Sequence, residues 1–414
     1  MNHAKRDIVL LFVTRTLRLF AYGFLSVILA LYLAEIGLSE KEIGVLFTLT
    51  LLGDAGVSLW ITTRADRIGR REMLIFGSAL MIFAGIVFAL TSNRVLLIAA
   101  AIIGVISPSG KEIGPFLSIE QAALSQLLPN ERRTHVFAWY NLAGSFAGAL
   151  GALAVGVVAQ GLQLYGFTVV ASYRTLVFGY AACGIIMALL FLRLSSATEA
   201  SRATMPPFTR ASFGLHRSKS VVMKMSTLFG LDPFAGGFIV QSMIAYWFVL
   251  KFAVSVDVLG EIFFAANFVA GISALVAARV AKRIGLVNTM VFTHVPSNIL
   301  LCLVPLMPTL PLAITMLLLR FTISQMDVPT RQSYTMAVVT EDERSAASGV
   351  TTIARSVGAS ISPALTGVFL ASPSLLSFPF YLAGGLKLLY DLLIYRSFRA
   401  LVPPEEQNEG ETKS

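Results

Sequence analysis

The residues of this 414-residue chain that can do chemistry are ionisable groups set inside long apolar runs. Arg15 and Arg18 lie in the first run, three apart and so on one face if the run is helical. Lys111, Glu112 and Glu120 lie in the fourth, Asp232 in the seventh, and Arg320, Asp327 and Arg331 in the tenth. Asp54 stands alone midway along the second, Arg355 midway along the eleventh, and Lys387 and Asp391 lie four apart in the twelfth. If these runs cross a bilayer, a charge at its centre costs at least about 2.5 kcal/mol, so such groups face partners, water or a solute. Candidate solute-binding residues are therefore Arg15, Arg18, Lys111, Glu112, Asp232, Arg320, Asp327 and Arg331. Acids taken out of water are also the groups able to carry a proton, which makes Asp54, Glu112, Asp232 and Asp327 candidate coupling residues. A fixed arginine partner is the competing reading for each. Lys387 and Asp391 are expected to satisfy each other, and Arg355 is expected to reach Asp54 or a solvent-filled opening.

The composition says what positions these groups. Hydrophobic residues make up 56% of the chain and charged residues 13%, against roughly a quarter charged in soluble domains. Apolar spans run over 8–33, 42–63, 72–92, 95–125, 135–158 and 173–194, then 222–249, 258–279, 287–307, 309–338, 346–370 and 377–396. Each reaches the roughly 20 residues a helix needs to cross a hydrocarbon core of about 30 Å. No alternating pattern suggests a barrel. The expected fold is an all-α membrane protein with twelve transmembrane helices in two pseudo-symmetric six-helix bundles. The bundles are residues 1–194 and 222–400, joined by a linker at 195–221 rich in Ser, Thr, Arg and Pro, and followed by a polar tail at 401–414.

Lys and Arg concentrate in alternate loops, at Arg64, Arg67, Arg70, Arg71, Arg132, Arg133, Lys282, Arg283 and Arg344 among others. That asymmetry places both termini in the cytoplasm, and the net charge of +9 then needs no nucleic acid to explain it. Arg15 and Arg18 interrupt the first run, which reads as a retained helix and not a cleaved leader. Cys183 and Cys302 sit inside apolar runs, and the four histidines show no zinc spacing, so no metal site or cofactor is expected. Gly104–Lys111 imitates a phosphate loop, but its spacer is one residue too long and Glu112 follows where Ser or Thr belongs.

Matches in common order divide the chain. Phe20-Ala21-Tyr22-Gly23-Phe24 answers Phe234-Ala235-Gly236-Gly237-Phe238, Tyr32 answers Tyr246, and Arg67-Ile68-Gly69 answers Arg283-Ile284-Gly285. The same offset brings Arg18 onto Asp232, about 15 Å of helix from the cytoplasmic end, and suggests that these opposite charges pair. Asp66-Arg67-Ile68-Gly69-Arg70-Arg71 forms a short basic turn, with Asp66 expected at the start of the next helix, near free amides. This turn resembles the loop motif between the second and third helices of the major facilitator superfamily, although Thr62 stands where the family has glycine. The resemblance covers nearly the whole chain. It implies that the first, fourth, seventh and tenth helices line a central cavity, and all four of these spans are charged. It also implies a gating role for Asp66, Arg67, Gly69, Arg70 and Arg71.

The expected function is secondary active transport by alternating access, not enzyme catalysis. The expected partners are a small-molecule solute, a proton and the lipid bilayer. The sequence reading favours a proton-coupled exporter of a polar, anionic or amphipathic compound, acting as a monomer in the plasma (inner) membrane. A drug–proton antiporter of broad specificity is an alternative, although the Gly-Pro signature of such exporters is missing from span five and Ile106 takes their arginine position in span four. A non-transporting receptor on the same fold is the other alternative. Gly144, Gly148 and Gly151 in span five are expected to permit a close helix crossing against the opposite bundle. Pro108, Pro115, Pro233, Pro329 and Pro363 are expected to bend their spans.

Overall fold

A computed structural model of the chain describes residues 3–112, 114–199, 219–337, 339 and 344–398. Among these, fifteen α-helices account for almost all regular structure. They are α1 (His3–Glu35), α2 (Glu40–Ile68), α3 (Arg70–Leu90), α4 (Arg94–Ile103), α5 (Phe116–Leu127), α6 (Asn130–Leu164), α7 (Val169–Phe191), α8 (Lys219–Gly237), α9 (Gln241–Phe252), α10 (Val256–Ile284), α11 (Leu286–Leu303), α12 (Leu310–Phe321), α13 (Asp327–Ala337), α14 (Arg344–Leu370) and α15 (Phe378–Phe398). The twelve expected spans are all present, but three of them are broken. The fourth is split into α4 and α5, the seventh into α8 and α9, and the tenth into α12 and α13. Residues 200–218 of the linker and the whole tail lie outside the described residues, whereas 195–199 follow α7 and 219–221 open α8.

Starts and stops follow local chemistry. Ser39 and Glu42 form a reciprocal capping box at the head of α2, and Asn93 and Thr168 cap α4 and α7 through their side chains. Gly69 and Gly285 adopt positive φ in the two matching turns, α2–α3 and α10–α11, a conformation that a Cβ resists. In the fourth span, Gly110 and Gly114 also take positive φ, and Pro108 lies in the same stretch. Their effect, with Pro115 at the N-cap of α5, is to interrupt the helix, where the sequence suggested a bend. Pro233 and Pro363 do lie inside helices, as does Pro296 of α11.

Backbone packing divides the chain into two units, Met1–Pro207 with Val240–Asn267, and Phe208–Ile239 with Phe268–Ser414. In the first unit α1 packs on α6 and α3 on α7. In the second, α8 packs on α14 and α11 on α15. In span order these are one-on-five and three-on-six, then seven-on-eleven and nine-on-twelve, so the repeat read from scattered residues is also a repeat of helix pairing. Glycine allows the closest approaches. A Cβ on Gly23 would lie 2.0 Å from the Gly148 carbonyl oxygen, and one on Gly151 would lie 2.1 Å from that of Phe20. The glycines of span five therefore pack against α1 within their own unit, which corrects the expected crossing with the opposite bundle. Gly358 meets Gly230 in the equivalent place in the second unit.

The exposure pattern is inverted relative to a soluble protein. Leu90, Val95, Val157, Leu189, Phe292 and Leu392 are exposed, whereas Arg15, Arg18, Glu120, Asp232, Arg320, Asp327, Arg331, Lys387 and Asp391 are buried. Nine helical stretches among the described residues are long and apolar enough to cross a membrane. An apolar exterior around buried charge is the arrangement a bilayer demands.

Candidate functional site: two buried ion networks

In the first unit, α1 presents Arg15 and Arg18 to the interrupted fourth span. The break leaves Glu112 outside any helix, where one carboxylate spans both arginines. Arg15 Nη1 donates to Glu112 Oε2 at 2.8 Å and Arg18 Nε to Glu112 Oε1 at 2.9 Å. Arg18 then grips Glu120 of α5 through two parallel bonds, Nη1 to Oε1 at 2.8 Å and Nη2 to Oε2 at 2.6 Å. This bidentate geometry is the strongest form of such a contact. Glu120 also accepts from the Thr14 hydroxyl at 3.2 Å and from the Tyr140 hydroxyl. Arg15 completes its own set with the Tyr140 carbonyl at 2.9 Å and Asn141 at 3.1 Å. The Phe116 ring lies 4.7 Å from the Arg18 guanidinium and the Tyr140 ring 4.5 Å from that of Arg15. Two arginines thus meet two carboxylates, and none of their buried polar atoms lacks a partner. Lys111, adjacent to Glu112 in the same stretch, is exposed. Asp54 is half-buried on α2 and accepts from the Ser58 hydroxyl at 3.3 Å.

In the second unit Asp232 is the hub. Its carboxylate receives Lys387 Nζ on one oxygen and Arg331 Nη1, at 3.0 Å, on the other. Arg331 also pairs with Asp327, one turn back along α13, at 3.3 Å. Arg355 of α14 stands 4.0 Å from Asp232, too far for a hydrogen bond. His294 of α11 lies between two acids, with Nδ1 2.7 Å from Asp391 and Nε2 3.9 Å from Asp232. Asn298 donates to the other oxygen of Asp391 at 2.9 Å. Arg320 of α12 is buried, with Phe321 5.0 Å from its guanidinium.

These contacts rewrite several expectations. Arg18 and Asp232 each bind acids or bases of their own unit, so the suggested pair is not what neutralises either. Lys387 and Asp391 do not satisfy each other. One reaches Asp232 on α8, and the other is held by His294 and Asn298 on α11. The acid facing Arg355 is Asp232, not Asp54. Tyr140, Asn141, His294 and Asn298 escaped the sequence reading. The signal for the last two was a His and an Asn four apart in an otherwise apolar span.

At the basic turn, Asp66 closes α2 and does not open α3. It receives Arg70 Nε at 2.7 Å. The free amides of Arg70 and Arg71 go instead to Glu199, at 2.7 and 3.1 Å. Glu199 follows α7, and Arg70 also reaches the Thr198 carbonyl there and Gln126 of α5. An acid distant in sequence therefore caps α3 where its dipole favours negative charge. Arg67 is exposed and Arg71 half-buried beside it.

The sequence model of the Major Facilitator Superfamily matches residues 11–251 and 233–414. The chain belongs to this superfamily. It is 32% identical over 420 residues to the uncharacterized membrane protein YJR124C of Saccharomyces cerevisiae, covering 94% of each. Among solved superfamily structures, a variant of the nucleoside transporter NupG superposes with a TM-score of 0.75 at 14% identity, over 94% of this chain and 99% of that one. A D-xylose–proton symporter does so with a TM-score of 0.74 at 15% identity, over 96% and 98%. At such identities the likeness concerns the fold. Membership makes the chain a multi-pass membrane transporter of small solutes, not an enzyme.

Proposed function

We propose that this member of the superfamily is a proton-coupled secondary transporter of a polar or anionic solute, working by alternating access with both termini in the cytoplasm. The observation that carries the reading is Glu112, a single carboxylate on unwound backbone bridging Arg15 and Arg18. Irregular backbone at membrane depth is tolerated where it lines a cavity or is buried in protein. Protonating Glu112 removes the carboxylate that holds Arg15 and frees that guanidinium to engage a solute, while Arg18 stays gripped by Glu120. Deprotonation remakes the pairs and expels it. Glu112 is 15% exposed while Glu120 is fully buried, which supports Glu112 as the exchanging acid and Glu120 as the fixed anchor of Arg18. The cap of Glu199 on α3, with Asp66 and Arg70, supports a latch at the basic turn. Export is the direction expected from sequence.

The test is solute flux in proteoliposomes with and without an imposed pH gradient, in wild type and Glu112→Gln. Gradient-driven flux in wild type, reduced to gradient-independent exchange in the variant, is the expected result. Identical pH responses of the two proteins would remove Glu112 from the coupling step.

A further inference from the structure

The second network holds a titratable group that the transport reading leaves unused. His294 of α11 is buried between two carboxylates on different helices. Its Nδ1 lies 2.7 Å from Asp391 Oδ1 on α15, and Asn298 donates to Asp391 Oδ2 at 2.9 Å. Both oxygens of Asp391 therefore meet N–H donors, as suits an ionised carboxylate, and Nδ1 carries a hydrogen. The far nitrogen, Nε2, lies 3.9 Å from Asp232 Oδ1 on α8. Without a proton, Nε2 would leave a lone pair beside that acid, and Asp391 would keep its full charge against neutral donors. A proton at Nε2 makes an imidazolium that offsets both acids. Among the described residues His294 is the one basic side chain paired with Asp391.

The ring's surroundings decide what that proton does. α11 packs on α15, α13 and α12. α15 supplies Asp391, Lys387 and Tyr390, whose ring centre is 6.1 Å from that of the imidazole. On α8, Asp232 holds Lys387 Nζ on the same oxygen that Nε2 approaches, and Arg331 of α13 at 3.0 Å on the other. Asp327 of α13 pairs with Arg331 at 3.3 Å, Arg355 of α14 stands 4.0 Å from Asp232, and α12 carries Arg320. Lys387 and the imidazole thus share one oxygen of Asp232. Lys387 also lies four residues before Asp391 on α15, a spacing that sets both on one face.

We propose that His294 Nε2 is a proton-binding position of the transporter, and that release of its proton moves Lys387 from Asp232 to Asp391. This rests on the proton-coupled reading above and adds a second proton site, on spans nine and twelve, to the one at Glu112. The N–H bond breaks at Nε2, its electron pair stays on the ring and the proton goes to water. Asp391 is then a buried carboxylate facing a neutral ring, a costly state that a cation relieves. Lys387 reaches it by a change of rotamer. Asp232 keeps Arg331 but loses its tie to α15, so a single proton governs a contact between α8 and α15.

The test uses the full-length chain in phosphatidylcholine nanodiscs, with His3, His135 and His216 changed to Gln so that His294 gives the sole histidine signal. Ring-15N spectra from about pH 5 to about pH 9, the range in which imidazoles titrate, read its protonation. Labels on the lysine Nζ and the aspartate carboxyl carbons read which acid holds Lys387. At the acid end both ring nitrogens should carry protons and Lys387 should contact Asp232. At the alkaline end Nδ1 alone should be protonated and Lys387 should contact Asp391. Asp391→Asn should bind the proton at least about tenfold more weakly, since an adjacent carboxylate is worth a factor of ten or more.

A ring that stays neutral, or doubly protonated, across the whole range overturns the proposal, and neither result needs Asp391→Asn to fold. A Lys387 contact that remains on Asp232 at both ends overturns the transfer. An Asp391→Asn variant that binds the proton as tightly as its parent removes Asp391 from the site. Titration of His294 in a protein whose solute flux ignores an imposed pH gradient would keep this site and remove the proton-coupled reading. Gradient-driven flux with a ring that never titrates would do the reverse.

Discussion

Replacing Asp232 with Asn tests the hub of the second network. The substitution preserves shape but removes the charge that holds Lys387 Nζ and, at 3.0 Å, Arg331 Nη1. Lys387 and Arg331 are then left with Asp327, the partner of Arg331 alone, in a buried setting. Breaking a buried ion pair from one side costs about 3–5 kcal/mol, because the other charge stays uncompensated. Asp232→Asn should therefore destabilise the protein by that amount and abolish transport. Lys387→Met in the same chain removes the stranded charge and replaces the ammonium with an apolar chain of similar length. The double variant should recover a coupling energy of about 0.5–3 kcal/mol, the range for directly contacting residues. Equilibrium unfolding in mixed micelles of rising denaturing-detergent content reads all four corners of the cycle. A double variant as unstable as Asp232→Asn alone would refute the reasoning. So would a single-variant loss below about 1 kcal/mol, since it would mean that the hub charge is solvated in the membrane protein.

Further expectations concern other parts of the molecule. Arg18→Gln leaves Glu120 buried without its bidentate partner and should abolish transport with a loss of about 3–5 kcal/mol, read by the same unfolding assay, whereas Tyr140→Phe removes one donor to Glu120 and should cost about 1–3 kcal/mol. Glu199→Ala uncaps α3 and should cost about 1 kcal/mol, with faster hydrogen exchange at the Arg70 and Arg71 amides and little change elsewhere. Gly23→Ala drives a methyl to 2.0 Å from the Gly148 carbonyl oxygen and should cost about 1–3 kcal/mol as overpacking. The yield of folded protein after detergent extraction, compared with a control Gly179→Ala placed in open space, checks it.

The spans, the basic turn and the charged helices were legible because a bilayer punishes charge so heavily that any ionisable residue inside an apolar run stands out. The repeat was legible for the same reason, since both halves must solve the same packing problem. Partner choice was not legible. Helical spacing put Lys387 beside Asp391, yet α15 lies between neighbours that offer each residue a better buried partner, Asp232 on α8 for one and His294 with Asn298 on α11 for the other. Spacing along one helix says which side chains can meet, not which alternatives stand across the helix face.

Glu112 makes the same point from the backbone. Its place in an apolar run was plain in the sequence, but its reach to both arginines depends on Gly110 and Gly114 turning the chain out of helix. The cap on α3 depends on Glu199, brought back from 127 residues beyond Glu72 by the way α7 ends beside that turn. The sequence alone determined how much charge the membrane interior must hold and on which spans. Only the tertiary structure decided how that charge is shared, with Glu112 between two arginines in one network and Asp232 between a lysine and an arginine in the other. In a low dielectric an ion's energy is set by the few groups within hydrogen-bond reach, and those come from other helices.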